Sequence, residues 1–370
     1  MSLTVSNQFT DPDVGEFSLG TLSKETALQT GVSTGTVEDI DVLPYTLPTP
    51  LDWNAIAQDF CTIDFVFPGL TAGGLGMLAA PGGTGKSYML LALASSIAMG
   101  KPLLPDWPEC KPTKVLVFFA EDPPDIVHNR LRHLLQSPWV GEPKYQQLLK
   151  ENLVVRSLVG EDCIVAHQPK FEDKWYRTQF STAVEEEATA CQARLIMFDP
   201  LRQFHQMDEN DSGEMTDLLK LMHGIAFRSK AAILFAHHTN KNSSFQGAGD
   251  AQQAARGSSA ITDNIRWQGN MVLMSEEEAT KYNILEDDRK GYVRLVLSKS
   301  NYTQARGDLW FKRGAGGILL PETLTEVGKP KQELDFGTST KTSQKSSGYA
   351  ISISPPIDAV PHYKIANSDV

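Results

Sequence analysis

The chain has 370 residues, 41% hydrophobic and 21% charged, the composition of an ordinary soluble globular protein with length for two or three domains. Its net charge of −11 is uneven: residues 1–50 hold seven acids and one base, while residues 51–330 come to −5. The totals contain no broadly basic surface, so any contact with nucleic acid rests on a few placed cations.

The opening MSLTVSNQFTDPDVGEF has no basic n-region and no apolar h-region, so it does not read as a signal peptide. Residues 1–50 lack periodicity and are rich in Thr, Ser, Asp and Gly; a disordered acidic segment is expected there. A folded core is expected over residues 51–327. Within it LGMLAA (75–80), KVLVFFA (114–120), RLIMFD (194–199) and AAILFA (231–236) are continuous apolar runs of the kind buried parallel strands carry. SYMLLALASSIAMG (87–100) is apolar almost all round and stops at Gly100, as a buried helix does. Beyond Pro123–Pro124, Val127, Leu131, Leu134 and Leu135 fall on one helical face, and Met215, Leu218, Leu219, Met222 and Ile225 do the same further on. This alternation predicts an α/β fold, a mainly parallel central sheet flanked by helices. MVLMS (271–275), YVRLVLS (292–298) and DLWFK (308–312) are expected to extend that sheet as antiparallel strands. Residues 328–370, with GTSTKTSQKSSG and then ISISPPIDAVPHYKI, read as a flexible C-terminal tail ending in a short docking segment.

Two further exclusions follow. Cys61, Cys110, Cys163 and Cys191 form no CxxC pair, which argues against a zinc ribbon, supplies no disulfide framework and fits a reducing compartment. No apolar run approaches the ~18 residues of a membrane span. A cytoplasmic protein without membrane contact is expected.

APGGTGKS (80–87) lies between an expected strand and an expected helix, and fits the Walker A pattern with Ala80 at its first position. Around Pro81 and Thr84, Gly82, Gly83 and Gly85 let backbone N–H groups turn inward on phosphate oxygens. Lys86 is placed for the β- and γ-phosphates and Ser87 for Mg²⁺, so ATP and Mg²⁺ are the expected cofactors. A chance glycine-rich turn is the competing reading. Asp199, closing RLIMFD, is the Walker B acid that would hold Mg²⁺ through water; the competing reading is a strand-end acid capping the next turn.

Pro200 follows Asp199 where many P-loop ATPases place a catalytic Glu, and proline is no base. The carboxylate must then come from another strand end, and AED (120–122) offers one. Glu121 is the expected general base, with a solvated strand-end acid as the plain alternative. Asp122 is read as the N-cap of the following helix, with proline in its first turn. In AHHTNK (236–241), His237 or His238 is placed to sense a γ-phosphate, against a satisfied structural histidine. The loop 240–259, NKNSSFQGAGDAQQAARGSS, is long and polar. In a ring-forming motor it would reach DNA, with Lys241 on a phosphate; a disordered insertion is the alternative.

Together APGGTGKS, AEDPPDIVHNRL, FDPLRQFH, HH with GAGDAQQAARGSSAITDNIRWQ, and LSKSNY resemble the plasmid replicative helicase RepA family, a branch of the RecA-like hexameric P-loop ATPases. The resemblance runs from about Pro68 to Leu320. It implies a RecA-like core, ATP hydrolysis, a homohexamer and single-stranded DNA as partner. It further implies that Glu121 is the base, His238 the γ-phosphate sensor and Arg266 of NIRW an arginine finger serving a neighbouring subunit. Such a finger is worth roughly 10³–10⁵ in rate. On the residues alone, Arg266 would sooner be read as stacking on Trp267. Lys299 is a second trans cation on the same resemblance, and Arg130 orients the region after Glu121. The tails exceed the compact helicase and are where a replication initiator or primase would dock. An ATP-dependent DNA-binding switch or loader without unwinding is the alternative function, and a small-molecule kinase a distant third.

Overall fold

The structure is a computed structural model that describes residues 47–58, 60–104, 107–170, 172, 174–239, 259–303 and 308–327. Contacts divide the chain into two compact units, one ending at Phe60 and the other beginning at Cys61. The first contributes a short helix, α1 (Trp53–Gln58), none of whose residues is buried.

The second unit opens with a small hairpin, β1 (Phe65–Phe67) and β2 (Leu70–Thr71), then β3 (Leu75–Ala80) and α2 (Lys86–Met99). There follow β4 (Val115–Phe119), α3 (Pro124–Leu135), α4 (Pro143–Asn152), β5 (Leu153–Ser157), a β6–β7 ribbon (Ala166–His167, Tyr176–Arg177) and α5 (Gln179–Ala190). Then come β8 (Leu195–Asp199), a 3₁₀ turn (Leu201–Phe204), α6 (Ser212–Ser229), β9 (Ala232–His238), α7 (Ser259–Asn264) and β10 (Trp267–Leu273). Helices α8 (Glu276–Tyr282) and α9 (Glu286–Arg289) precede β11 (Tyr292–Ser300), β12 (Leu309–Arg313) and β13 (Leu319–Glu322).

The main sheet has the order β13-β12-β11-β10-β3-β9-β8-β4-β5. From β10 to β5 every pairing is parallel, and from β10 to β13 every pairing is antiparallel. The expected mainly parallel sheet with C-terminal antiparallel strands is therefore present. One expectation is corrected. The strand sought at 271–275 begins at Trp267 and runs parallel to β3, so antiparallel pairing starts only at its far edge. The run WQGN carries buried Gln268 and Asn270, polar residues that break the apolar signature of a central strand.

Pleating sorts the strands' side chains into two layers. Val115, Val117, Phe119, Leu195, Met197, Leu234 and Ala236 pack with α2, α3 and α4 on one face. Leu116, Phe118, Ile196, Phe198, Ile233 and Phe235 pack with α5, α6 and α7 on the other. Helix α2 is buried nearly all round, which is why its sequence shows no polar stripe, and it ends at Gly100 in the left-handed region, φ 69°.

Candidate active site

Parallel strands deliver their last residues to a common edge, and register decides which residues meet there. Ala80 pairs with His238 across β3 and β9, and Phe119 pairs with Asp199 across β4 and β8. The loop after Ala80 and the acids after Phe119 thus emerge beside His238 and Asp199.

From Ala80 the chain turns through Pro81, Gly82, Gly83, Thr84 and Gly85 into α2. Thr84, almost fully buried, donates its hydroxyl to the Pro81 carbonyl at 2.9 Å and closes the loop on itself. Gly85 takes φ 103° at the N-cap and offers no side-chain acceptor, so it does not cover the first N–H groups of α2. An anion is the natural partner for those donors and for the positive end of the helix dipole. Lys86 is buried and curls back over the loop, its Nζ donating to the carbonyls of Ala80 at 3.3 Å and Pro81 at 3.4 Å. Burial lowers its pKa, opposed by the Asp199 and Glu121 carboxylates.

Asp199 is 6% exposed, and burial pushes its carboxyl up to about 6 against the hydrogen bond from Ser87 and the charge of Lys86. A serine hydroxyl facing a carboxylate next to a phosphate cradle is a hard-oxygen donor set suited to Mg²⁺ that keeps waters and takes phosphate oxygens. These residues fit MgATP: Ser87 and Asp199 would hold the ion, and Lys86 with the loop N–H groups the phosphates.

The pleat separates the two histidines. Ile233 and Phe235 face the α6 layer, so His237 falls on that side, buried near His205 and Glu209; burial lowers its pKa. Leu234 and Ala236 face the α2 layer, and His238 follows them, its Nδ1 3.1 Å from Lys86 Nζ. An ammonium only donates, so Nδ1 accepts and the ring proton sits on Nε2. That nitrogen lies 4.0 Å from Glu121 Oε2, and both side chains are nearly half exposed (46% and 49%), open to an incoming molecule. Burial and then Lys86 lower the His238 pKa, the direction that favours the neutral ring accepting from Lys86. Lys86, Ser87, Asp199, Glu121 and His238 thus converge at one edge, whereas His237 does not join them.

Gln203, from the turn after Asp199, donates Nε2–H to Glu121 Oε1 at 3.2 Å and steadies it. Sequence reasoning missed Gln203, since nothing in the spacing of FDPLRQFH points at an acid 82 positions away. The reading of Asp122 is corrected. Helix α3 starts at Pro124 with Pro123 at the cap and no side-chain cap bond. Asp122 instead takes both arms of Arg130, one at 2.9 Å, and its carbonyl accepts from Ser157. With Pro123 in the cap position, Asp122 lies one residue outside it and makes no cap bond to a helical N–H. Arg130 also lies over the Tyr88 ring at 5.0 Å.

Arg266 stands elsewhere. Its backbone N–H bonds the Leu75 carbonyl at the start of β3, five residues from the phosphate loop, about 16 Å along a strand. The side chain is exposed, its Nη1 donating to the carbonyl of Asp263 at 3.2 Å. Trp267 is fully buried with its ring edge-on to Phe67, so stacking of Arg266 on it is not what is seen. Lys299 lies close by, its Nζ 2.6 Å from the Thr262 carbonyl. Lys241 and residues 240–258 lie outside the described residues.

A strand, a glycine loop whose lysine turns back on it, a helix N-terminus and a buried acid on a nearby parallel strand define a P-loop ATPase. The chain belongs to the AAA domain family, whose sequence model matches residues 44–244. Among solved structures, one whose title describes an ATPase domain is similar at 12% identity with a TM-score of 0.46, over 68% of this chain and 86% of that one. Among the described residues no helix is long and apolar enough to cross a membrane, and all four cysteines are free.

Proposed function

We propose that this protein is an ATP-driven translocase of helicase type, acting on single-stranded DNA as a homohexameric RecA-like ring in replication, as its resemblance to the RepA family implies. One observation carries the reading: the ATP edge gathers Lys86, Asp199, Glu121 and His238, while Arg266 and Lys299 stand exposed or half-buried at the opposite edge of the same sheet. A cation about 16 Å along the strand from its own phosphate loop is useful to a neighbour's site.

In the proposed reaction Glu121, held by Gln203, takes a proton from water as the water oxygen bonds to the γ-phosphorus. The bond from that phosphorus to the β-γ bridging oxygen breaks, and ADP leaves. Lys86 and the loop N–H groups hold the phosphates, and the neighbour's Arg266 stabilises the charge that develops on them. Bound Mg²⁺ neutralises part of that charge. His238, between Lys86 and Glu121, responds to the γ-phosphate and passes its loss to the loop after β9.

The test is subunit mixing. Arg266→Ala and Glu121→Gln should each be inactive alone, and mixed rings should regain both ATPase and forked-DNA unwinding. Absence of rescue in assembled mixed rings would rule out shared sites. Rescue of ATPase without strand displacement would point to a switch or loader in place of a motor.

A further inference from the structure

The hairpin β12–β13 returns to the phosphate loop from the far end of the sequence. Arg313, the last residue of β12, donates Nη2–H to the carbonyl of Gly83 at 3.1 Å and also to that of Thr84. Its guanidinium lies so close to Gly85 that a Cβ there would sit 3.2 Å from Nη1, besides adopting a strained φ of +103°. No carboxylate among the described residues pairs with Arg313, and burial lowers its pKa. A half-buried arginine whose charge is met by two backbone carbonyls holds the loop against a desolvation cost, and it needs a firm base.

That base is present. The Arg313 N–H bonds the Gly291 carbonyl at 2.7 Å, and Gly314 N–H bonds the Ile318 carbonyl at 2.7 Å. Leu319 is fully buried in the α2-side core. The turn between the strands lies on α2: Tyr88 donates its hydroxyl to the Gly316 carbonyl, and a Cβ on Gly317 would come within 2.9 Å of the Tyr88 ring.

We propose that Arg313 is a positioning residue for the nucleotide, a latch in cis that presets the phosphate loop before ATP arrives. In a trans peptide the C=O and the next N–H point to opposite sides. With the Gly83 and Thr84 carbonyls turned to Arg313, the N–H groups of Thr84 and Gly85 face away from it. The Gly85 N–H is thereby presented to the cradle above α2, where a phosphate oxygen accepts. Loss of the latch frees two peptide planes that ATP binding must then order. That cost falls equally on ground state and transition state, so it raises KM and leaves kcat.

The inference rests on the reading of residues 80–87 as the ATP site, and the experiment separates the two. Binding of a fluorescent ATP analogue and steady-state ATPase are measured on the full chain for wild type, Arg313→Ala, Arg313→Lys and Lys86→Ala. Arg313→Ala is expected to raise Kd and KM roughly tenfold, the loss of about one charged hydrogen bond, with kcat within about twofold. Arg313→Lys keeps a cationic donor and is expected to fall within roughly threefold of wild type. Unchanged Kd and KM in Arg313→Ala overturns the latch, and so does a collapse of kcat at unchanged KM. Should Arg313→Ala not fold, Arg313→Gln replaces it, with neutral donors and the same expected KM increase. If Lys86→Ala binds and hydrolyses ATP like wild type, the ATP site itself is misassigned. If only Lys86→Ala is impaired, the latch alone fails.

Discussion

Asp199 is an acid whose pKa burial raises from 3.8 to about 6, net of the help it receives from Ser87 and Lys86. At 1.36 kcal/mol per pH unit this amounts to about 3 kcal/mol between the two protonation states. The sign follows from the direction. The folded chain binds this proton more tightly than the unfolded chain, so the neutral acid's contribution is fully present below about pH 4 and is lost as pH rises through about 6. Asp199→Asn keeps a neutral partner for Ser87 and has no proton to lose. Between pH 4 and pH 7.5 the wild type should therefore lose about 2.4 kcal/mol of stability relative to the variant, the rest of the difference lying below pH 4. Urea unfolding of both nucleotide-free proteins at one protein concentration reads this out, because the difference of the two pH curves cancels the titrating groups that do not interact with Asp199. Mg²⁺ with ATP should then stabilise the wild type at pH 7.5 more than it stabilises Asp199→Asn, since the cation relieves the buried charge. Parallel pH curves for the two proteins would refute the account of Asp199 as an ionised acid poised for a cation.

Other perturbations test the remaining groups. Lys86→Ala should abolish ATP turnover and weaken nucleotide binding, measured by steady-state ATPase and by fluorescent-analogue titration. Glu121→Gln should bind ATP but lower kcat by about 10²–10⁴, and an unchanged kcat would return Glu121 to an ordinary surface acid. Gln203→Ala should lower kcat less than Glu121→Gln and be silent in a Glu121→Gln background, which a double-mutant cycle reads directly. Asp122→Ala should cost about 1–3 kcal/mol of stability in thermal or urea unfolding, because it leaves the largely buried Arg130 without its carboxylate.

The sequence was most legible where one local rule decides an element. Four continuous apolar runs became β3, β4, β8 and β9, and the all-apolar stretch after Lys86 became the buried helix α2. It was less legible where polar residues are buried or where elements abut. β10 contains Gln268 and Asn270 inside the sheet, so the apolar run seemed to start four residues late. β5 follows α4 without a turn residue between Asn152 and Leu153, and no punctuation marks it. The proposal of Glu121 as base rests on elimination, since Pro200 bars the position after Asp199. Arg313 left no local trace, because its partner Gly83 is 230 residues away and the contact is made through backbone carbonyls. A side chain that recognises backbone has no complementary residue type to betray it.

Strand order accounts for the different surroundings of the two histidines, which residue type and spacing left open and the family resemblance alone separated. β9 lies between the strand that carries the phosphate loop and the strand that carries Asp199. Its final residue on the α2 face therefore falls between Lys86 and the acid that β4 delivers from the other side of β8. Period-two pleating gives that place to His238 and turns His237 into the opposite layer. On the proposed reading, a ligand that draws Lys86 away from His238 Nδ1 changes what holds the ring, and the ring sits at the last residue of β9, just ahead of the loop expected to meet DNA. A one-residue shift of β9 would exchange the two histidines and break the link, so register is as much a determinant of this site as side-chain identity.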